Sequence, residues 1–166
     1  MQARVLRAHT RTCTPAHTHT LTRAHTLTHV CTCPRTRAQY RPPVRQTTVE
    51  LPAGLIDKNE TAEAAALREL REETGFVGSI LHVSGEVCMS PGICDETVRI
   101  VVVDVDLTRP ENQNPEQELD EGEYCVVRRV PLSELRELLS SSSHMSIEGI
   151  MLFAWGIELG LGLVER

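Results

Sequence analysis

The stretch LPAGLIDKNETAEAAALRELREETGF, residues 51–76 of a 166-residue chain, decides the fold. Thr61 followed by an Ala- and Leu-rich run predicts a helix over Ala62–Thr74 with Thr61 as its N-cap and Gly75 as its stop. Ala65, Ala66, Leu67 and Leu70 form the inward face. Glu69, Glu72 and Glu73 then fall at i, i+3 and i+4, on one side of that helix. Like charges so placed repel by a few tenths of a kcal/mol per pair. One reading is an ordinary solvated face laced by Arg68 and Arg71. The other is a carboxylate seat for a hard divalent cation such as Mg²⁺, with Mn²⁺ as the alternative, because such ions take oxygen ligands.

The spacing favours the second reading. Gly54, Glu60, Arg68, Glu69, Leu70, Glu72, Glu73, Gly75 and Phe76 fit the pattern G-x5-E-x7-R-E-U-x-E-E-x-G-U, with U apolar, without a mismatch. This is the Nudix box, and the sequence resembles the Nudix hydrolases. The resemblance implies an α/β/α sandwich around a mixed sheet and Mg²⁺ held by Glu69, Glu72 and Glu73, with the Ala53 carbonyl beside them. Arg68 is placed to pair with Glu72 and orient it, and Glu60 to support the set from behind.

Outward from the box the chain is uneven. Residues 1–49 hold eight Arg and no acidic residue, whereas the remainder is strongly acidic, giving a net charge of −6 overall. An acidic body argues against nucleic acid as a partner. No apolar run reaches the roughly 18–20 residues that span a bilayer, so no membrane partner is expected. Residues 1–39 hold ten Thr and five His in repeated His-Thr units and read as a low-complexity, disordered segment ahead of a domain at 40–166. His9, His17, His19, His25 and His29 with Cys13, Cys31 and Cys33 fit no common zinc module. A mitochondrial transit peptide is disfavoured by the absence of Ser and by weak amphipathicity. A third reading is a translated CA-dinucleotide repeat standing in for another N-terminus.

Beyond Tyr40-Arg41-Pro42-Pro43, short strands are predicted at Thr47–Leu51, Ile80–Val87, Val98–Val105 and Glu123–Val130. The Val98 strand is β-branched enough to be buried on both faces. Pro52-Ala53-Gly54 reads as a turn. Residues 108–122 read as a mobile acidic loop without apolar anchors. Helices follow from Pro131 to Leu139 and from about Ser146 to Leu161.

The flanking segments YRPPV, VELPAGLID, VCMSPG and the acidic loop ending in Gly122-Glu123 resemble the ADP-sugar (ADP-ribose) pyrophosphatases over roughly residues 40–160. That resemblance implies Mg²⁺-dependent cleavage of a nucleoside diphosphate-sugar to AMP and a sugar phosphate. It assigns substrate contacts to Arg41 and Glu50, the general base to Glu123, and catalytic roles to Glu73 and Arg68. Spacing alone leaves Glu118, Glu121 and Glu123 equally placed for the base. The family is a cytoplasmic, in part nuclear, homodimer with an N-terminal sheet region that stacks the adenine. Here the His-Thr segment stands in that place, so an incomplete sheet, doubtful dimerisation and weakened base recognition are expected. The alternatives are an impaired variant that binds nucleotide or a partner, or a hydrolase of oxidised nucleoside diphosphates or UDP-sugars.

Overall fold

The computed structural model describes residues 22–29, 35–141 and 143–161. Among these, eight strands form two four-stranded sheets. The first contains β1 (Thr22–His29), β4 (Ala53–Leu55), β5 (Ser79–Cys88) and β6 (Thr97–Asp104), in the order β4-β1-β6-β5. The second contains β2 (Arg35–Arg41), β3 (Gln46–Glu50), β7 (Cys125–Arg129) and β8 (Met145–Ser146), in the order β7-β2-β3-β8. Helix α1 (Ala62–Thr74) packs on the first sheet. Helices α2 (Leu132–Leu139) and α3 (Glu148–Leu161) pack on the second.

Helix α1 has the bounds read from the sequence, for the reasons read there. The Thr61 side chain accepts from the Ala64 N–H at 3.2 Å. Gly75 closes the helix at φ 74°, where a side chain would be strained, and its N–H donates to the Arg71 carbonyl. Ala65, Ala66 and Leu70 are fully buried against Phe76, Val101, Val103 and Val105, while Leu67 is partly covered. A second core joins Val49 and Leu51 to Leu135, Leu139, Ile150 and Ala154.

Several expectations are corrected. Disorder across residues 1–39 does not hold for Thr22–His29 or Arg35–Gln39, which are strands; the remainder of that segment, with His9, His17, His19, Cys13, Cys31 and Cys33, lies outside the described residues. The place in the sheet that was expected to stand empty is filled by β1, which runs parallel to β6 from Thr22↔Thr97 to His29↔Asp104 and antiparallel to β4. Thr at positions 22, 26 and 28 suits extended backbone, and Arg23–His25 are paired on both sides, which serves their N–H and C=O groups. Ala53-Gly54 is the start of β4 rather than a turn. Strand β6 buries Val101 and Val103 fully but covers Ile100 and Val102 only in part. Pro131 caps α2 rather than opening it, and β8 precedes α3. No helix among the described residues is long and apolar enough to cross a membrane.

Candidate active site

Strand β4 lies across α1 so closely that a Cβ on Gly54 would stand 1.7 Å from Glu69 Oε1. Only glycine admits that approach, which is the physical content of the first position of the box. Beside it, the Ala53 N–H donates to Glu73 Oε2 at 3.1 Å. Glu73 is 1% exposed. The strand is thereby hung on the helix through a buried carboxylate.

Arg68 uses all five of its N–H donors. Nε and Nη2 meet the two oxygens of Glu60, each at 3.0 Å. Nη1 donates to Glu69 Oε1 at 2.7 Å and to Glu72 Oε2 at 3.0 Å, and Nη2 also donates to the Leu55 carbonyl at 2.9 Å. A planar fork with fixed donors can make this set; a lysine cannot. The Glu60 hydrogen bonds in particular push the Arg68 pKa above its ordinary value. The same pairing holds the Glu60 carboxyl below the usual range, helped by the Asp57 N–H on its Oε2. Glu69 moves the other way: burial raises its pKa, Arg68 pulls it down, and the charges of Glu72 and Glu123 raise it again.

That last effect locates Glu123. Glu69, Glu72, Asp120, Glu121, Gly122 and Glu123, with Gln39, Ala53 and Gly54, line one cavity of about 400 Å³. Glu118 does not line it; it pairs with Arg71 at 2.8 Å, on the far side of Glu72. Strands β2 and β7 pair up to Gln39↔Cys125. Continuing that register brings Arg41 level with Glu123, and the charge of Glu123 adds to the rise in the Arg41 pKa, which is due first to its hydrogen bond with Glu50. Arg41 Nε and Nη2 grip Glu50 at 2.7 and 2.6 Å, and the buried Thr48 hydroxyl lies 2.5 Å from Glu50 Oε1. A wider cleft of about 550 Å³ along α2, lined by Arg128, Arg129, Glu134 and Glu137, carries none of these groups.

The structure therefore brings Glu69, Glu72, Glu123 and Ala53 to one cavity and sets the Arg41–Glu50 pair beside it. It turns Glu73 inward, away from the cavity lining, and commits Arg68 to bracing the glutamates. Among the described residues no three carboxylate, imidazole or thiolate groups stand together closely enough to hold an ion in this arrangement. The donor chemistry still fits a hard divalent cation, since Glu69, Glu72 and Ala53 offer only oxygen; in this arrangement the Arg68 guanidinium is the shared counter-charge. Gln39 and Asp120 were missed as cavity residues. Strand alternation would have found Gln39, because it shares a face with Arg41. Its buried Oε1 has no hydrogen-bond partner among the described residues.

A strand–loop–helix unit that braces a row of glutamates with its own Arg, set between mixed sheets, defines a Nudix-type fold. The chain belongs to the NUDIX domain family, whose model matches residues 28–146. It is 46% identical over 94 residues to an ADP-ribose pyrophosphatase of Saccharomyces cerevisiae, covering 57% of this chain and 41% of that one. It is 36% identical over 124 residues to an ADP-sugar pyrophosphatase of Mus musculus, covering 73% and 56%. A crystal structure of an ADP compounds hydrolase shares the fold, with a TM-score of 0.65 at 24% identity over 86% of this chain and 75% of that one. The chain spans between 41% and 62% of the length of these and other curated relatives.

Proposed function

We propose that the protein is a Nudix diphosphatase that hydrolyses the diphosphate bond of ADP-ribose or a related ADP-sugar to AMP and a sugar phosphate. The observation that carries this reading is the shared cavity of Glu69, Glu72 and Glu123 next to the Arg41–Glu50 pair. The names of the yeast and mouse relatives support the substrate class. In this reading Glu69, Glu72 and the Ala53 carbonyl hold Mg²⁺ or Mn²⁺, with Glu73 fixing Ala53 and closing the set. When bound, such an ion neutralises charge on the phosphoryl oxygens and makes water more acidic.

The chain's own residues do the rest. Glu123 takes a proton from the attacking water, whose oxygen forms a new P–O bond as the bridging P–O bond breaks. Arg68 aligns Glu69 and Glu72 through its hydrogen bonds to both carboxylates. Arg41, oriented by Glu50, contacts the diphosphate or the sugar. The test is release of AMP from ADP-ribose with and without Mg²⁺. Glu123→Gln should lower kcat by about 10²-fold or more, the scale of a lost general base. Nucleotide binding without turnover in the wild-type chain, with Mg²⁺ present, refutes the enzymatic reading.

A binding-only variant is the second reading, and one observation favours it. Arg41 already spends two of its donors on Glu50, which leaves fewer for a phosphate. UDP-sugars and oxidised nucleoside diphosphates are the substrates to compare, and size-exclusion with light scattering decides between monomer and homodimer.

A further inference from the structure

The connection from β6 to β7 was expected to swing freely, and it does not. Asn112, which is buried, fastens its first half: Oδ1 accepts from the Val77 N–H at 2.8 Å, and Nδ2 donates to the carbonyls of Val77 and Asp106. The second half is fastened to the end of α1. The Glu118 N–H donates to the Glu72 carbonyl at 2.8 Å. Gln117 Nε2 donates to the Glu73 carbonyl at 2.6 Å, with the Cys125 carbonyl at 3.3 Å and Cys125 Sγ at 3.4 Å. A Cβ on Gly75 would stand 2.5 Å from the Glu116 nitrogen, so the loop backbone rests directly on that glycine.

The last carbonyls of a helix have no partner within it. Here the loop supplies partners for two of them, and they belong to Glu72 and Glu73. The same carboxamide of Gln117 also reaches the first residue of β7, two residues after Glu123. One side chain thus spans the end of the glutamate helix and the root of the segment that carries the proposed base. Between these ties the chain turns through a left-handed Gly122 at φ 86° and a turn closed by the Glu123 N–H on the Asp120 carbonyl.

We propose that Gln117 is a positioning residue that fixes the distance between Glu123 and the Glu69–Glu72 row by tying the loop to the end of α1. This rests on the hydrolase reading above. The test uses the full chain with two variants: Gln117→Met, similar in length without the donor, and Gln117→Lys, which keeps a donor at similar reach. Gln117→Met should lower kcat for ADP-ribose about tenfold with KM changed less than twofold, the pattern of a group that acts after binding. Gln117→Lys should recover most of it. In parallel, amide exchange at Glu118 and Glu123 should speed up about tenfold in Gln117→Met and much less in Gln117→Lys. Unchanged kcat, or kcat and KM altered equally by both variants, overturns the proposal. If the wild-type chain turns over no substrate, the hydrolase reading fails by itself and the exchange rates alone decide whether Gln117 ties the loop. Unchanged exchange then overturns it.

Discussion

Replacing Arg68 separates a structural brace from a decorated surface. Its guanidinium makes five hydrogen bonds, four of them to carboxylates. A solvated ion pair contributes about 0–1 kcal/mol, whereas removing one partner of a buried pair costs about 3–5 kcal/mol. The Arg68 side chain is 31% exposed and that of Glu69 only 13%, so the cost falls between these limits. Arg68→Met should therefore destabilise by about 2–3 kcal/mol, and most of this comes from Glu69, left beside Glu72 and Glu123 with no counter-charge nearby. Arg68→Lys keeps one charge but can serve either Glu60 or the Glu69–Glu72 pair, and should cost about 1–2 kcal/mol. For a chain of this size that means Tm falling by about 4–12 °C for Met and about 2–8 °C for Lys. The assay is thermal unfolding in metal-free buffer, repeated with Mg²⁺. Added Mg²⁺ should restore more Tm in Arg68→Met than it adds to wild type, because it replaces the missing positive charge between Glu69 and Glu72. Two variants unfolding within 1 °C of wild type would show that the network is only a wet surface cluster, and the reasoning fails.

Gly54→Ala puts a methyl group where Glu69 Oε1 now lies, so Glu69 must leave its place against β4; the concentration of Mg²⁺ for half-maximal AMP release should rise at least tenfold, and an unchanged value refutes the close approach as the reason for this glycine. Glu60→Gln tests the pH response. The folded-state pKa of Glu60 is depressed by Arg68, so its stabilisation is fully present above the unfolded value of about 4.3 and is lost as pH falls through the lower folded value. The gap in stability between wild type and Glu60→Gln should accordingly be constant from about pH 5 upward and close toward acid; a gap that widens on acidification is the contrary result. Leu70→Ala empties a fully buried site between α1 and β6 and should cost about 2–5 kcal/mol in urea unfolding, with an unchanged m-value.

What could be read in the sequence follows how local the interactions are. Helix α1 was legible to the residue because its cap, its inward face and its stop all lie within Thr61–Gly75. Arg68 meeting Glu72 was legible because four residues on a helix set that distance. Strand β1 was not, since nothing in a His-Thr alternation announces a partner; its pairing with β6 joins residues far apart in the chain, from Thr22↔Thr97 onward. β-Strand formation depends on such neighbours more than on composition. The base was likewise open on spacing alone among Glu118, Glu121 and Glu123. The fold pairs Glu118 with Arg71 and sets Glu121 and Glu123 in the cavity. It does so through bonds that no window of sequence contains, Gln117 to Glu73 across 44 positions and Asn112 to Val77 across 35. The box therefore specifies a braced helix and nothing about where Glu123 stands. The cavity exists because strand β2 through Gln39, strand β4 through Ala53 and Gly54, and the tied loop through Asp120–Glu123 each add a wall beside Glu69 and Glu72, three walls brought together from separate parts of the chain.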